Sequence, residues 1–146
     1  MSLLKVSGNA SGTGTVTLET PNTSSNYTVT LPTAATTLTG TGIAQTYTAP
    51  QRGTVTTDND GSFDLSVTNN FACTPTGSVA LTFTNMTAGQ SGFILFVNGS
   101  NYAVTAAATT KVSADALATL SVTGTYLISY FTNGTNTYIT NSAALA

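Results

Sequence analysis

The sequence predicts an all-β protein, an antiparallel β-sandwich or jelly-roll-like domain over residues 51–146 preceded by an extended β-rich N-terminal arm over residues 1–50. Three observations predict it. Apolar side chains alternate with Thr and Ser along many short runs, the period of a pleated strand. Gly-, Asn- and Asp-rich turn signals separate those runs. Charged residues make up only 5% of the chain against 40% apolar, with a net charge of -2. Disorder needs low hydrophobicity with high net charge, so this chain folds. At 146 residues it is long enough to bury a core.

The arm comes first. Val16 and Leu18 alternate with Thr15 and Thr17 before Pro21 closes the run, and Tyr27, Val29 and Leu31 alternate with Thr28 and Thr30 up to Pro32. Proline cannot donate to a sheet ladder, so it ends each strand. Thr is β-branched and suits a pleated surface, here replacing the usual charged residues on the wet face. The turn-like residues 21–25 join the two runs into a hairpin, and the stretch to Pro50, with Gly40 and Gly42, reads as linker. At about 3.3 Å per residue such an arm reaches beyond its own domain onto a neighbour.

In the domain, residues 53–57 begin a strand and Asp58-Asn59-Asp60-Gly61 is a turn. Phe63, Leu65 and Val67 alternate with polar residues until Asn69-Asn70, and Val79, Leu81 and Phe83 alternate after them. A turn over residues 87–92 feeds the continuous apolar run Phe93 to Val97, which predicts a strand buried on both faces. Asn98-Gly99 predicts a hairpin, with Tyr102, Val104 and Ala106 on the return. Ser113 to Leu120 is the one helical candidate, with Ser113 as N-cap and Asp115 in the first turn. Tyr126 to Phe131 is a strand, Asn133-Gly134 its turn, and Thr137-Tyr138-Ile139 the start of its return.

Composition narrows the function. The chain has no His, which removes the commonest general base and the Ser-His and Cys-His nucleophile pairs. Gly89-Gln90-Ser91-Gly92 lacks the full nucleophile-elbow spacing and reads as a tight turn. Cys73 stands alone and reads as a small apolar residue. Asp58, Asp60 and Asp64 are the one acidic cluster; an EF-hand would need Gly and Glu where Phe63 and Asn69 stand, while a looser oxygen-ligand site stays open beside the plain solvated turn. No cofactor is expected, nor any enzyme activity. Three basic residues cannot form a phosphate-binding footprint, so nucleic acid is not expected as a partner. No segment has the length of a membrane span, and the first residues lack a secretory leader, so synthesis in a cytoplasm is expected. Six Asn-x-Ser/Thr matches, at Asn9, Asn22, Asn26, Asn85, Asn98 and Asn133, fit chance in a Thr- and Asn-rich chain. Tyr102, Tyr126, Tyr130 and Tyr138, with Phe131, are the candidate aromatics for stacking on a glycan, and otherwise for packing in the core or a subunit interface.

The runs Gly12-Thr13-Gly14-Thr15-Val16-Thr17-Leu18 to Pro21 and Asn26-Tyr27-Thr28-Val29-Thr30-Leu31-Pro32 resemble repeated units of bacteriophage tail fibres and related virion surface proteins. The second half, from Thr87 to Ile94 and from Leu127 to Tyr138, is similar to a compact β module found near the ends of such fibres. Those modules frequently carry a central Trp and a carboxylate before the Leu-x-Ser-Tyr strand; this chain has no Trp, and Thr125-Tyr126 holds the second place. The chain is shorter than a shafted fibre and looks more like a capsid decoration or cement protein, or a short head or tail appendage. The resemblance implies a virion-surface protein, homotrimeric by analogy, whose partners are other copies of itself, major capsid or tail subunits, and host surface polysaccharide. In that role Val16, Leu18, Tyr27, Val29 and Leu31 form the assembly arm. Low charge suits such a role, because an ion buried unpaired between subunits costs several kcal/mol.

Overall fold

The computed structural model describes residues 11–14, 17, 22, 24–26, 47 and 50–145. The chain divides into two units, Met1–Gln45 and Thr46–Ala146, and the fold below is that of the second. The strands expected in the arm, with Val16, Leu18, Tyr27, Val29 and Leu31, lie outside the described residues.

Among the described residues nine strands and one helix follow in the order β1 (Val55–Thr57), β2 (Ser62–Asp64), β3 (Asn70–Cys73), β4 (Val79–Thr84), β5 (Ser91–Asn98), β6 (Val104–Ala106), β7 (Thr110–Lys111), α1 (Ala114–Leu120), β8 (Gly124–Thr132) and β9 (Thr137–Asn141). They form a six-stranded sheet ordered β1-β3-β5-β8-β9-β7 and a three-stranded sheet ordered β2-β4-β6. Among the described residues, all regular structure is β apart from α1.

The antiparallel sandwich is corrected. From β1 to β6 the chain places successive strands alternately in the two sheets, as in a β-solenoid. Five of the seven strand pairings are parallel, β1 with β3, β3 with β5, β2 with β4, β4 with β6 and β7 with β9. Only β5 with β8 and β8 with β9 run antiparallel. The physical reason is that two-residue periodicity marks a strand and its inward face whichever way its neighbour runs. A parallel pair needs a long crossover, and here a strand of the opposite sheet supplies it.

Turn chemistry decides between corner and hairpin. At Asp58–Gly61 the Asp60 carboxylate accepts from Ser62 N at 2.8 Å, the Asn59 side chain accepts from Thr74 N at 2.7 Å, and Gly61 takes φ +82°. That turn carries the chain from one sheet to the other. Asn98-Gly99 is likewise a corner, not the expected hairpin: Asn98 is fully buried, its Nδ2 donates to the carbonyls of Tyr102 (2.8 Å) and Leu120 (2.9 Å), and its Oδ1 accepts from Tyr102 N (3.0 Å) and Ser100 N (3.3 Å). An interior amide with its hydrogen bonds met holds the corner shut. Asn133-Gly134 does form the hairpin between β8 and β9. Asn133 Oδ1 accepts from the amides of Thr135 (3.0 Å) and Asn136 (2.8 Å), and Gly134 sits at φ +88°.

The inward faces of the two sheets meet in one core. Phe63, Leu81, Phe83 and Val104 from the small sheet face Phe71, Cys73, Ile94, Phe96, Tyr126, Ile128 and Tyr130 from the large one. Tilted ring pairs run through it: Phe63 to Phe71 at 5.1 Å, Phe63 to Phe83 at 5.4 Å, and Phe83 to Tyr130 at 5.2 Å. Each fully buried apolar side chain contributes about 1.5–3 kcal/mol of transfer free energy. Thr also enters the core, against the expectation that it stays on the wet face. Buried Thr110 donates to Leu81 O at 2.9 Å, and buried Thr132 donates to Asn136 O at 3.0 Å. Among the described residues no buried side-chain polar atom lacks a partner.

Helix α1 forms where expected. Ser113 caps it, its Oγ accepting from Ala116 N at 3.1 Å, and Leu120 at its end is fully buried. Ser121, just after it, donates to Leu117 O (2.8 Å) and accepts from Val104 N (2.9 Å), which ties the helix to β6.

Candidate functional site

Each sheet has an outward face, and the two faces differ in chemistry. On the three-stranded sheet the outward residues are Ser62 and Asp64 on β2, Ala80, Thr82 and Thr84 on β4, and Thr105 on β6. That is an ordinary solvated surface.

On the six-stranded sheet the outward residues of the central strands are large and apolar. Phe93 is 51% exposed, Leu95 44%, Leu127 42%, Phe131 50% and Tyr138 47%. The strand register places them side by side. Leu95 stands opposite Leu127, Phe131 stands opposite Tyr138, and Phe93 stands opposite the small, half-buried Ser129. Ser129 is therefore the floor of a notch bordered by Phe93 across the ladder and by Leu127 and Phe131 two residues either way on its own strand. With roughly half of each side chain in water, the five present about 450 Å² of mostly apolar surface, a size at which patches on monomers are often functional. Val55 on β1, also exposed, extends the face, aligned with Asn70 and through it with Phe93.

No charged side chain belongs to β1, β3, β5, β8 or β9. At the β7 margin Lys111 lies opposite Tyr138, but its Nζ donates to Ala108 O at 2.7 Å. The run Phe93 to Val97 was expected to be buried on both faces. Among the described residues it is covered on one: Ile94 and Phe96 are fully buried, while Phe93 and Leu95 face out.

Of the four candidate tyrosines only Tyr138 is presented at a surface. Tyr126 and Tyr130 are core residues whose hydroxyls donate to Val122 O and Asn69 O, each at 2.9 Å, and Tyr102 is half-buried. The sequence reading missed Phe93, Leu95 and Leu127 as surface residues. The signal was present, since an apolar run without alternation means that both faces require cover, but nothing local says which cover the chain itself provides.

The other candidates have structural occupations. Asp64 Oδ1 accepts from Asn85 Nδ2 (2.8 Å), Ser66 N (2.9 Å) and Ser66 Oγ (2.7 Å), and the Asn85 and Ser66 hydrogen bonds hold its carboxyl below the usual range. Burial, then hydrogen bonding with Asp60, pushes Asp58 the other way. Among the described residues no three His, Cys, Asp or Glu side chains converge to hold a metal ion. Cys73 is fully buried, and burial, then the Asp58 charge, pushes its thiol up to about 12. The turn before Ser91 is fastened by Gln90, which accepts from Thr87 N at 2.7 Å and donates to Leu65 O at 2.9 Å. A shallow cleft of about 370 Å³ lies between α1 and the end of β9. Two of its lining hydroxyls are engaged locally, Ser113 in its cap and Thr119 donating to Asp115 O at 2.9 Å. Among the described residues no helix is long and apolar enough to cross a membrane.

No protein-family model, curated protein or solved structure matches this chain.

Proposed function

We propose that this chain is a non-enzymatic structural protein of a bacteriophage virion. It works as a homo-oligomeric surface protein that decorates or cements the capsid, or forms a short fibre-type appendage, and its first fifty residues contact neighbouring subunits. The single observation that carries the assembly part of this reading is the apolar outward face of the six-stranded sheet, with no charged side chain on β1, β3, β5, β8 or β9 and Lys111 at its β7 margin. A mixed sheet with several parallel ladders is usually covered on both sides, and an isolated soluble monomer gains nothing from Phe93, Leu95, Leu127 and Phe131 in water. The virion part rests on the resemblance of the Thr-rich units around Val16 and Val29 to tail-fibre sequences.

The work is mechanical. Apolar area buried between subunits adds free energy in proportion to area, at about 25 cal/mol per Å², and raises the barrier to disassembly. An antibody against the chain, used for gold-labelled electron microscopy of purified particles, tests the reading. Regular labelling of the outer surface is expected; particles that lack the chain or enclose it at low copy overturn it.

A second reading is a host-polysaccharide adhesin. The exposed neighbours Phe131 and Tyr138 favour it, because adjacent aromatic rings at a surface can stack on sugar faces. Binding on a glycan array that is lost in Tyr138→Ala, without change in oligomeric mass, selects the adhesin.

A further inference from the structure

We infer that the outward face of the six-stranded sheet, centred on Ser129 between Phe93, Leu127 and Phe131, is a self-association interface that packs against the same face of a second copy of this chain. The inference deepens the assembly reading and rests on it.

Three observations select a second copy over other occupants. The first is charge. A closed cyclic assembly brings like faces toward a common axis, so any ion on the face would meet its own image. Like charges brought together cost several kcal/mol and exclude a partner. The five strands that carry the face have no ion at all, the only charge on the sheet being Lys111 at the β7 edge, whose Nζ donates to Ala108 O, whereas Asp64 lies on the small sheet. A face meant for a charged partner would carry the complementary sign.

The second is shape. Knobs and a hole occur on one surface, with Phe93 and Phe131 projecting and Ser129 recessed between them. Such a surface is complementary to itself when turned about an axis, and two sheets packed face to face lie about 10 Å apart with their side chains interleaved.

The third is area. The five exposed apolar side chains supply about 450 Å². Val55, Val97 and Thr140 on the same face bring it toward the roughly 800 Å² per partner of a standard interface. The large apolar side chains Phe93, Leu95, Leu127 and Phe131 surround Ser129 near the centre, with Lys111 at the β7 edge.

The test uses the full chain. Sedimentation equilibrium is expected to give twice the 14.8 kDa chain mass. Leu127→Asp is expected to weaken association at least 100-fold, while Thr105→Asp on the opposite sheet leaves it unchanged. Should Leu127→Asp fail to fold, Ser129→Cys provides an independent readout, since the native thiol of Cys73 is buried. A short bismaleimide is expected to link Ser129→Cys copies to one another and to leave Thr105→Cys copies single. A wild-type chain that oligomerises with mass unchanged by Leu127→Asp, or Ser129→Cys copies that do not link, overturns this interface while leaving assembly intact. A full-length monomer in which Ser129→Cys is shielded from alkylation overturns it in favour of the chain's own N-terminal segment. A monomer in solution that labels the virion surface overturns it in favour of another virion protein, and a chain absent from particles overturns the reading beneath it.

Discussion

Leu95 and Leu127 stand directly opposite each other on antiparallel neighbours β5 and β8, and both point away from the protein's only described core. One residue along each strand, Phe96 and Ile128 are fully buried. Adjacent apolar residues of similar size therefore have opposite energetic roles.

That contrast predicts opposite responses to truncation. Ile128→Ala, in the core, is expected to cost about 2–5 kcal/mol. Leu127→Ala is expected to change unfolding free energy by less than about 1 kcal/mol under dilute conditions, because the side chain loses little cover. Urea titrations at low protein concentration measure both. At high concentration the Leu127→Ala variant is expected to lose the additional stability that oligomerisation gives the wild type by mass action.

Gly92 is required by close approach. A Cβ there would lie 1.7 Å from Asn69 O, the carbonyl that also accepts from Phe93 N at 3.2 Å and from Tyr130 Oη at 2.9 Å. Gly92→Ala is expected to displace β3 from β5 and to lower the thermal midpoint by more than about 10 °C, since overpacking costs about 1–3 kcal/mol and lost buried hydrogen bonds add to it. Circular dichroism on heating measures the shift.

Asn98→Leu is expected to fill a similar volume yet destabilise by about 2–4 kcal/mol. It strands the carbonyls of Tyr102 and Leu120 and the amide of Tyr102 in a dry corner. Asn98→Asp keeps the acceptor but replaces the donor with a buried carboxylate, so its stability is expected to fall further as pH rises above the carboxylate range. Denaturant midpoints at two pH values separate the variants.

Two carboxylates give acid-side stability slopes of opposite sign. Asp64, with its folded pKa below the ordinary 3.8, contributes stability that is present above 3.8 and lost as pH falls through the lower folded value. Asp58, shifted upward, works the other way, its contribution declining as pH climbs from 3.8 through its raised value. In Asn85→Ala the Asp64 carboxyl is expected to titrate closer to 3.8, as read by carboxyl NMR.

Cys73 is expected to resist alkylation in the folded protein at pH 8 and to react at the rate of an ordinary thiol once the chain is unfolded. Burial and a thiol pKa of about 12 leave almost no accessible thiolate. Mass spectrometry after an iodoacetamide pulse, with and without denaturant, measures the ratio.

By itself the sequence determined most of the strands and their inward faces, the capped helix after Ser113 and the Asn133-Gly134 hairpin. All of these follow from contacts within a few residues. It did not determine β3, which starts at the Asn70 read as a break, nor β7, and it carried the β2 strand on to Val67, which lies exposed in the turn after Asp64. It also determined that the chemistry is sparse, with no His and one isolated Cys. Only the tertiary structure decided that β1 to β6 pair in parallel across two sheets, because alternation is blind to a neighbour's direction. It also decided that Asn98 closes a corner and that Tyr126 and Tyr130 are core. The exposed face joins both levels. The unbroken run Phe93 to Val97 states that both of its sides avoid water, but which side the chain covers for itself depends on where the small sheet lies. That placement arises from pairings between residues far apart along the chain.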